Sequence, residues 1–147
     1  MMPVAAFELH PQLQSDCIPL GCLPLCRVLL MNESRYPWLI LVPERVGITE
    51  VFELDKADQL QLMHESGSIA EHLKRIFAGD KMNVAAIGNL VPQLHLHHVV
   101  RYRMDAAWPA PVWGRFAPMP YSPGALETCL EKINLAYIPE FSPIGLA

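Results

Sequence analysis

The segment Gln93-Leu94-His95-Leu96-His97-His98-Val99-Val100 constrains this chain more than any other stretch. Polar side chains at 93, 95 and 97 alternate with leucines at 94 and 96, the two-residue period of a β-strand. Such a strand puts Gln93, His95, His97 and Val99 on one face, and Leu94, Leu96, His98 and Val100 on a second face that reads as core. At about 3.3 Å rise per residue, His95 and His97 stand roughly 7 Å apart along the chain, within reach of different atoms of one phosphate group. His98 points to the core face, where a buried polar group needs a hydrogen-bond partner. Three histidines within four residues beside an apolar strand are uncommon by chance, so this segment is the expected working site.

The rest of the chain supplies elements to surround it. Leu25 to Met31 and Trp38 to Val42 are rich in branched and aromatic residues, and the connector Asn32-Glu33-Ser34-Arg35-Tyr36-Pro37 between them is polar and ends in proline. They read as successive short strands. From Asp55 the period becomes helical, with Leu62, Ile69, Leu73 and Ile76 recurring and Asp58 three residues after Asp55; Gly79 is expected to end the helix. Glu65, Glu71, Lys74 and Arg75 fall on its polar face, read as solvated, and His64 and His72 as surface or boundary residues. Strands are expected over Met82 to Ile87 and Leu94 to Tyr102, joined by Gly88-Asn89-Leu90-Val91-Pro92. The proline-rich stretch Asp105 to Pro123 should be irregular, and a last helix should start at Ser122-Pro123 with Leu126, Cys129, Leu130 and Ile133 buried. Antiparallel strands segregated from two helices place the chain in the α+β class. With 147 residues and 52% hydrophobic content, one domain is expected.

A formal charge of -4 offers no global attraction for a polyanion, so extended nucleic acid is not an expected partner. Arg101, Arg103 and Arg115 form a local basic patch suited to a small phosphorylated ligand. The N-terminus lacks a basic start and a long apolar run, and no stretch reaches the ~20 apolar residues of a membrane-spanning helix, so a cytoplasmic location is the default. Cys17, Cys22, Cys26 and Cys129 form no CxxC pair and are expected as reduced thiols.

At neutral pH one unprotonated imidazole can attack phosphorus while others donate hydrogen bonds to phosphoryl oxygens, giving a nucleotidyl-histidine. Donors aimed at the charge that develops there are typically the largest single contribution, and loop amides near Asn89 and Gln93 are candidates. Trp38, Trp108 and Trp113 could stack on a base, although packing is their usual work. The rival chemistry is a metal site on His95, His97 and His98, against which stand the opposite faces of His97 and His98 and the lack of a nearby cysteine or carboxylate.

The segment resembles the signature of the histidine triad nucleotide hydrolases and transferases, His-φ-His-φ-His-φ-φ with φ apolar. Gln93 occupies the first histidine position, His95 the second and His97 the third, while His98 stands where an apolar residue is usual. The resemblance implies that His95 is the nucleophile, that His97 orients or hydrogen-bonds the phosphate, and that Gln93 substitutes an amide, which cannot act as a general acid. It covers roughly Glu8 to Gly114 and implies a five-stranded antiparallel sheet with one long helix and a C-terminal helix. Residues 1–114 would be the histidine-triad-like domain and 115–147 an extension packed on it. It further implies Asn32 as a sugar or base ligand, Trp108 with Pro109 completing the site or interface, a homodimer, and no cofactor or metal for the covalent step. Asn89 and Arg101 are further candidate nucleotide ligands. The expected substrate is a nucleotide, such as a dinucleoside polyphosphate or nucleoside phosphoramidate; a noncatalytic nucleotide-binding protein and a histidine-cluster metal protein are the alternatives.

Overall fold

A computed structural model describes residues 1–144. The last three positions of the 115–147 extension lie outside the described residues. The elements, in chain order, are α1 (Pro11–Asp16), β1 (Cys17–Cys22), β2 (Cys26–Met31), β3 (Trp38–Pro43), α2 (Lys56–Ile76), β4 (Lys81–Ala85), β5 (Leu96–Arg101), α3 (Pro123–Ile133) and β6 (Ser142–Pro143), with 3-10 turns at Val51–Glu53 and Leu135–Tyr137. One antiparallel sheet has the order β4-β5-β3-β2-β1-β6. The class is α+β as expected, with six strands rather than five. The sixth is a two-residue bridge from Ser142 and Pro143 to Cys22 and Gly21, too short to leave a periodic pattern in the sequence.

β3 lies between β2 and β5, and all six of its residues are buried, because both faces of the sheet are covered. Leu39 and Leu41 join Val28, Leu30, Leu96 and Val100 under α2 and α3, whose Leu62, Ile69, Leu73, Cys129 and Ile133 close that core. Trp38, Ile40 and Val42 join Leu29 and Val99 on the reverse face, beneath Leu9, Leu13, Ala107 and Val112 from the N-terminal segment, α1 and the 105–119 stretch. Burying each large apolar side chain contributes about 1.5–3 kcal/mol, so two half-cores flank the strand that carries the histidines. Ser122 caps α3 by accepting from Ala125 N, with Pro123 in the first turn, as the sequence predicts.

Several expectations are corrected. Glu65 is not on a solvated face: it is 2% exposed, and its carboxylate accepts from Leu25 N, Cys26 N and Gln61 Nε2. The β1–β2 turn presents two amides inward, and only a buried acceptor on α2 satisfies them. His72 is buried too, its Nε2 donating to Ile133 O at 2.6 Å and so tying α2 to the end of α3. The helix stops at Ile76, and Ala78, not Gly79, takes the left-handed conformation at φ 49°. Gly79 serves a different need, since a Cβ there would lie 2.5 Å from Val100 Cγ1. Arg101, expected in a surface patch, is 1% exposed; it donates to both Asp105 oxygens, Asn83 Oδ1 and Ala110 O. That bidentate pair organises the 102–108 turn, where Asp105 also accepts from the amides of Tyr102, Ala107 and Trp108. Although burial opposes it, these hydrogen bonds from Arg101 and the backbone hold the Asp105 carboxyl down at about 2. The four cysteines are free thiols, with Cys17, Cys26 and Cys129 buried, and burial pushes Cys17 up to about 12. Among the described residues, no helix is long and apolar enough to cross a membrane.

Candidate active site

β5 begins at Leu96, so His97 lies within the ladder and His95 one residue before it. Pro92 interrupts pairing, and Leu94 N donates to Ile48 O instead of continuing the ladder, which shortens the expected strand at that end. The alternation survives the shortening. Leu94 and Leu96 enter the helix-side core, whereas the rings of His95 and His97 meet edge to face on the other side, their centroids 4.8 Å apart. Both line a cleft of about 350 Å³ with Asp16, Met31, Ile87, Gly88, Asn89, Leu90, Val91, Trp113 and Gly114. Gly88 (φ 71°) and Gly114 (φ 73°) supply the left-handed backbone at its rim.

Hydrogen bonds settle the protonation pattern of all three imidazoles. His95 Nδ1 lies 2.6 Å from Gln93 O; a carbonyl only accepts, so Nδ1 carries a proton, and the neutral tautomer with this bond has its lone pair on Nε2. His97 is the reverse: the Trp38 indole N–H donates to its Nδ1 at 3.0 Å, so the His97 proton sits on Nε2. His98 donates from Nδ1 to Leu96 O and accepts at Nε2 from the Ser66 hydroxyl on α2. Alternate positions 95 and 97 therefore present one lone pair and one N–H donor, the two functions that attack on a phosphate and restraint of its oxygen require. Burial, with the neighbouring His95 and His98, pushes His97 down to about 3; burial brings His98 to about 4. Both imidazoles are therefore neutral at physiological pH.

The remaining candidates divide. Asn89 is exposed and lines the cleft. Gln93 does not: its Nε2 donates to Glu8 O and its Oε1 accepts from His10 N, fastening the N-terminal segment to the sheet. Asn32 Oδ1 accepts from Tyr121 N, so this side chain anchors the segment leading into α3 and is not among the residues lining the cleft. Trp108 lies against the Arg101 guanidinium, 5.6 Å from it, also away from the cleft. Trp113 stands beside the histidines, its ring 5.4 Å from that of His97 and 5.9 Å from that of Trp38, and among the described residues its buried indole N–H has no partner. Asp16, at the end of a helix not expected from the sequence, is a cleft residue that was missed, and Trp38, named for base stacking or packing, instead meets His97 through its indole N–H. His10 and Pro11, an N-cap and a proline in the first turn, were the available signal for α1. Among the described residues, no group of three histidine, cysteine or carboxylate side chains is arranged to hold a metal ion.

A two-sided antiparallel sheet with a long helix on one face, and paired imidazoles of opposite tautomer on the other, defines an α+β protein with a histidine-lined cleft. The HIT domain model matches residues 12–104. Solved histidine triad proteins share the fold over nearly their whole length. One from Marinobacter aquaeolei is 49% identical, with a TM-score of 0.87, covering 88% of this chain and 95% of that one. One from Bradyrhizobium japonicum is 43% identical, with a TM-score of 0.85, covering 88% and 96%. One from Sinorhizobium meliloti is 44% identical, with a TM-score of 0.84, covering 86% and 94%. A search of curated proteins finds no match. The chain belongs to the histidine triad family.

Proposed function

We propose that this protein binds a nucleotide and cleaves it at the α-phosphate through a nucleotidyl-His95 intermediate, with dinucleoside polyphosphates and nucleoside phosphoramidates as the substrate types. The observation that carries this reading is the 2.6 Å contact from His95 Nδ1 to Gln93 O, which leaves Nε2 as the free nucleophilic atom in a residue lining the cleft. His97 Nε2–H donates to a nonbridging oxygen, where it stabilises charge spread over the phosphoryl group in the transition state. The exposed Asn89 amide lies on the same wall. Trp113 offers an aromatic surface to a base. Asp105 occupies Arg101, so this guanidinium is not free to hold the phosphate. The covalent step needs no cofactor or metal.

A second copy completes the molecule in this reading. β4 is an edge strand with Val84 46% exposed; Ile87 follows it at 40%, and α2 exposes Leu60 at 74% and Met63 at 71%. An open strand edge next to exposed apolar side chains favours pairing with an identical edge across a two-fold axis.

The test is product release from a panel of adenylated and guanylated compounds. Wild-type protein should liberate the nucleoside monophosphate, and His95→Ala should reduce that release to background. Hydrolysis by His95→Ala at the wild-type rate overturns the nucleophile assignment. Tight binding by the wild-type protein with no product favours a noncatalytic nucleotide-binding protein, the reading that the fully engaged Gln93 amide supports.

A further inference from the structure

The cleft holds a nucleophile and an oxygen-binding donor, but neither imidazole nor the Gln93 amide is free to protonate a departing group. Gln93 is occupied at both ends of its amide by Glu8 O and His10 N. His95 spends its only N–H on Gln93 O. His97 could serve as an acid only as an imidazolium, which needs a proton on Nδ1, the atom to which Trp38 Nε1–H donates at 3.0 Å. Two N–H groups cannot face each other at that distance, and tryptophan has no acceptor with which to reverse the bond. Trp38 is itself fixed, 6% exposed and packed edge to face against both His97 and Trp113.

The other ionisable groups around the pair come from several elements. From α1 comes Asp16, whose Oδ1 accepts from Gln12 Nε2. Glu50 shares a small neighbouring recess with His95 and Gln93. His98 lies on the reverse face, engaged by Ser66 and Leu96 O. His10 lines a separate recess with Arg27 and Gln93.

We propose that Trp38 is a positioning residue that locks His97 as a neutral Nε2–H donor, and that the site thereby selects nucleotides whose leaving group departs as a stable oxyanion. The ligand class is the nucleotide anhydride, in which the α-phosphorus carries a phosphate or a carboxylate. Amides and alkyl esters of the same nucleotide are disfavoured, because their leaving groups must be protonated as the bond to phosphorus breaks. In the favoured step His95 Nε2 bonds to phosphorus, and the bond to the departing oxygen breaks with its electron pair on that oxygen. The positive charge gained by the imidazole is met by Gln93 O through Nδ1–H. Water then attacks phosphorus, the nitrogen–phosphorus electron pair returns to His95, and the proton from water passes to solvent. This inference rests on the catalytic reading above and narrows its two substrate types to one.

The experiment compares kcat/KM for diadenosine triphosphate, acetyl adenylate, adenosine 5′-phosphate phenyl esters of graded leaving-group acidity, and adenosine 5′-phosphoramidate. The guanosine counterparts run in parallel to remove any base preference. The expected result is a steep fall as the leaving group becomes more basic, with the phosphoramidate at least about 100-fold below the anhydrides, the scale of a missing general acid. The phosphate and carboxylate arms show which source of oxyanion fits. The ¹⁵N spectrum of His97 should show Nε2–H with unprotonated Nδ1 from about pH 8 to about pH 5. In Trp38→Phe the imidazolium should appear at higher pH and the gap between anhydride and amide should narrow. A flat dependence on leaving group, or Nδ1 protonation of His97 in the wild-type protein above about pH 5, overturns the inference while leaving the nucleophile in place. Absence of turnover and of nucleotidyl-protein with every compound overturns the catalytic reading and this inference with it. The wild-type measurements stand alone if Trp38→Phe does not fold.

Discussion

Keeping His97 and His98 neutral in the folded chain ties its stability to pH. Both are held below the ordinary value of 6.5, at about 3 and about 4, chiefly because burial strips water from the charged form. Between 6.5 and those values the unfolded chain binds more protons than the folded one. Their contribution is therefore fully present above 6.5 and is lost as pH falls towards the folded values, on the order of 2 kcal/mol for each histidine by about pH 4.5. Thermal melts should show Tm dropping steadily from about pH 7 to about pH 4.5, a window above that in which the depressed Asp105 and Glu33 carboxyls titrate. His98→Asn should flatten the decline, whatever it does to absolute stability. A Tm that is level or rises across this window contradicts the burial account. At this scale the sequence showed which side chains share a face but not how they are protonated. The alternation of Gln93 to Val100 placed His95 and His97 together, yet the Trp38 indole that fixes the His97 tautomer lies 59 positions away and leaves no local signal. The contacts of Gln93, Asn32 and Arg101 left no local signal for the same reason, since Glu8, Tyr121 and Asn83 reach them from elsewhere in the fold.

Between elements, α2 works as a strut as well as a lid. Glu65 satisfies two amides of the β1–β2 turn, and Ser66 donates to His98 on β5, so two adjacent residues of one helix reach two different strands. Replacing Glu65 by leucine leaves two buried N–H groups without acceptors and should cost about 2–5 kcal/mol in urea unfolding, whereas Glu71→Leu on the exposed face should change stability by less than about 0.5 kcal/mol. Equal effects at the two positions contradict the assignment. The helical period of Leu62, Ile69, Leu73 and Ile76 was plain in the sequence because it follows from burial of one face. Glu65 and His72 were misplaced because periodicity treats every polar residue as solvent-facing, whereas a turn with inward amides and the neighbouring α3 create buried demand for polar partners. The β4 and β5 boundaries shifted for a related reason: Pro92 and the bond from Leu94 N to Ile48 O end the ladder earlier than apolar alternation suggests.

Across the whole molecule, the α+β class, the antiparallel sheet and the two larger helices followed from pattern, while α1 and β6 were too short to show one. The segment after Gly114 folds back onto the same body, with Ile133, Leu135 and Ile138 in the helix-side core and Met119 and Tyr121 bonded to the β2–β3 connector. The open β4 edge and the exposed Leu60 and Met63 predict a dimer of twice the chain mass in sedimentation, dissociated by Val84→Lys combined with Met63→Glu. A monomeric wild-type protein at micromolar concentration contradicts that arrangement. Chemistry in the cleft is most directly read by intact-mass spectrometry of wild-type protein quenched during incubation with a dinucleoside polyphosphate, followed by fragmentation to locate any adduct. The expected result is one added nucleotidyl group on His95, absent from His95→Ala. An adduct on a different residue, or turnover with no adduct under rapid quench, contradicts attack by the imidazole at position 95.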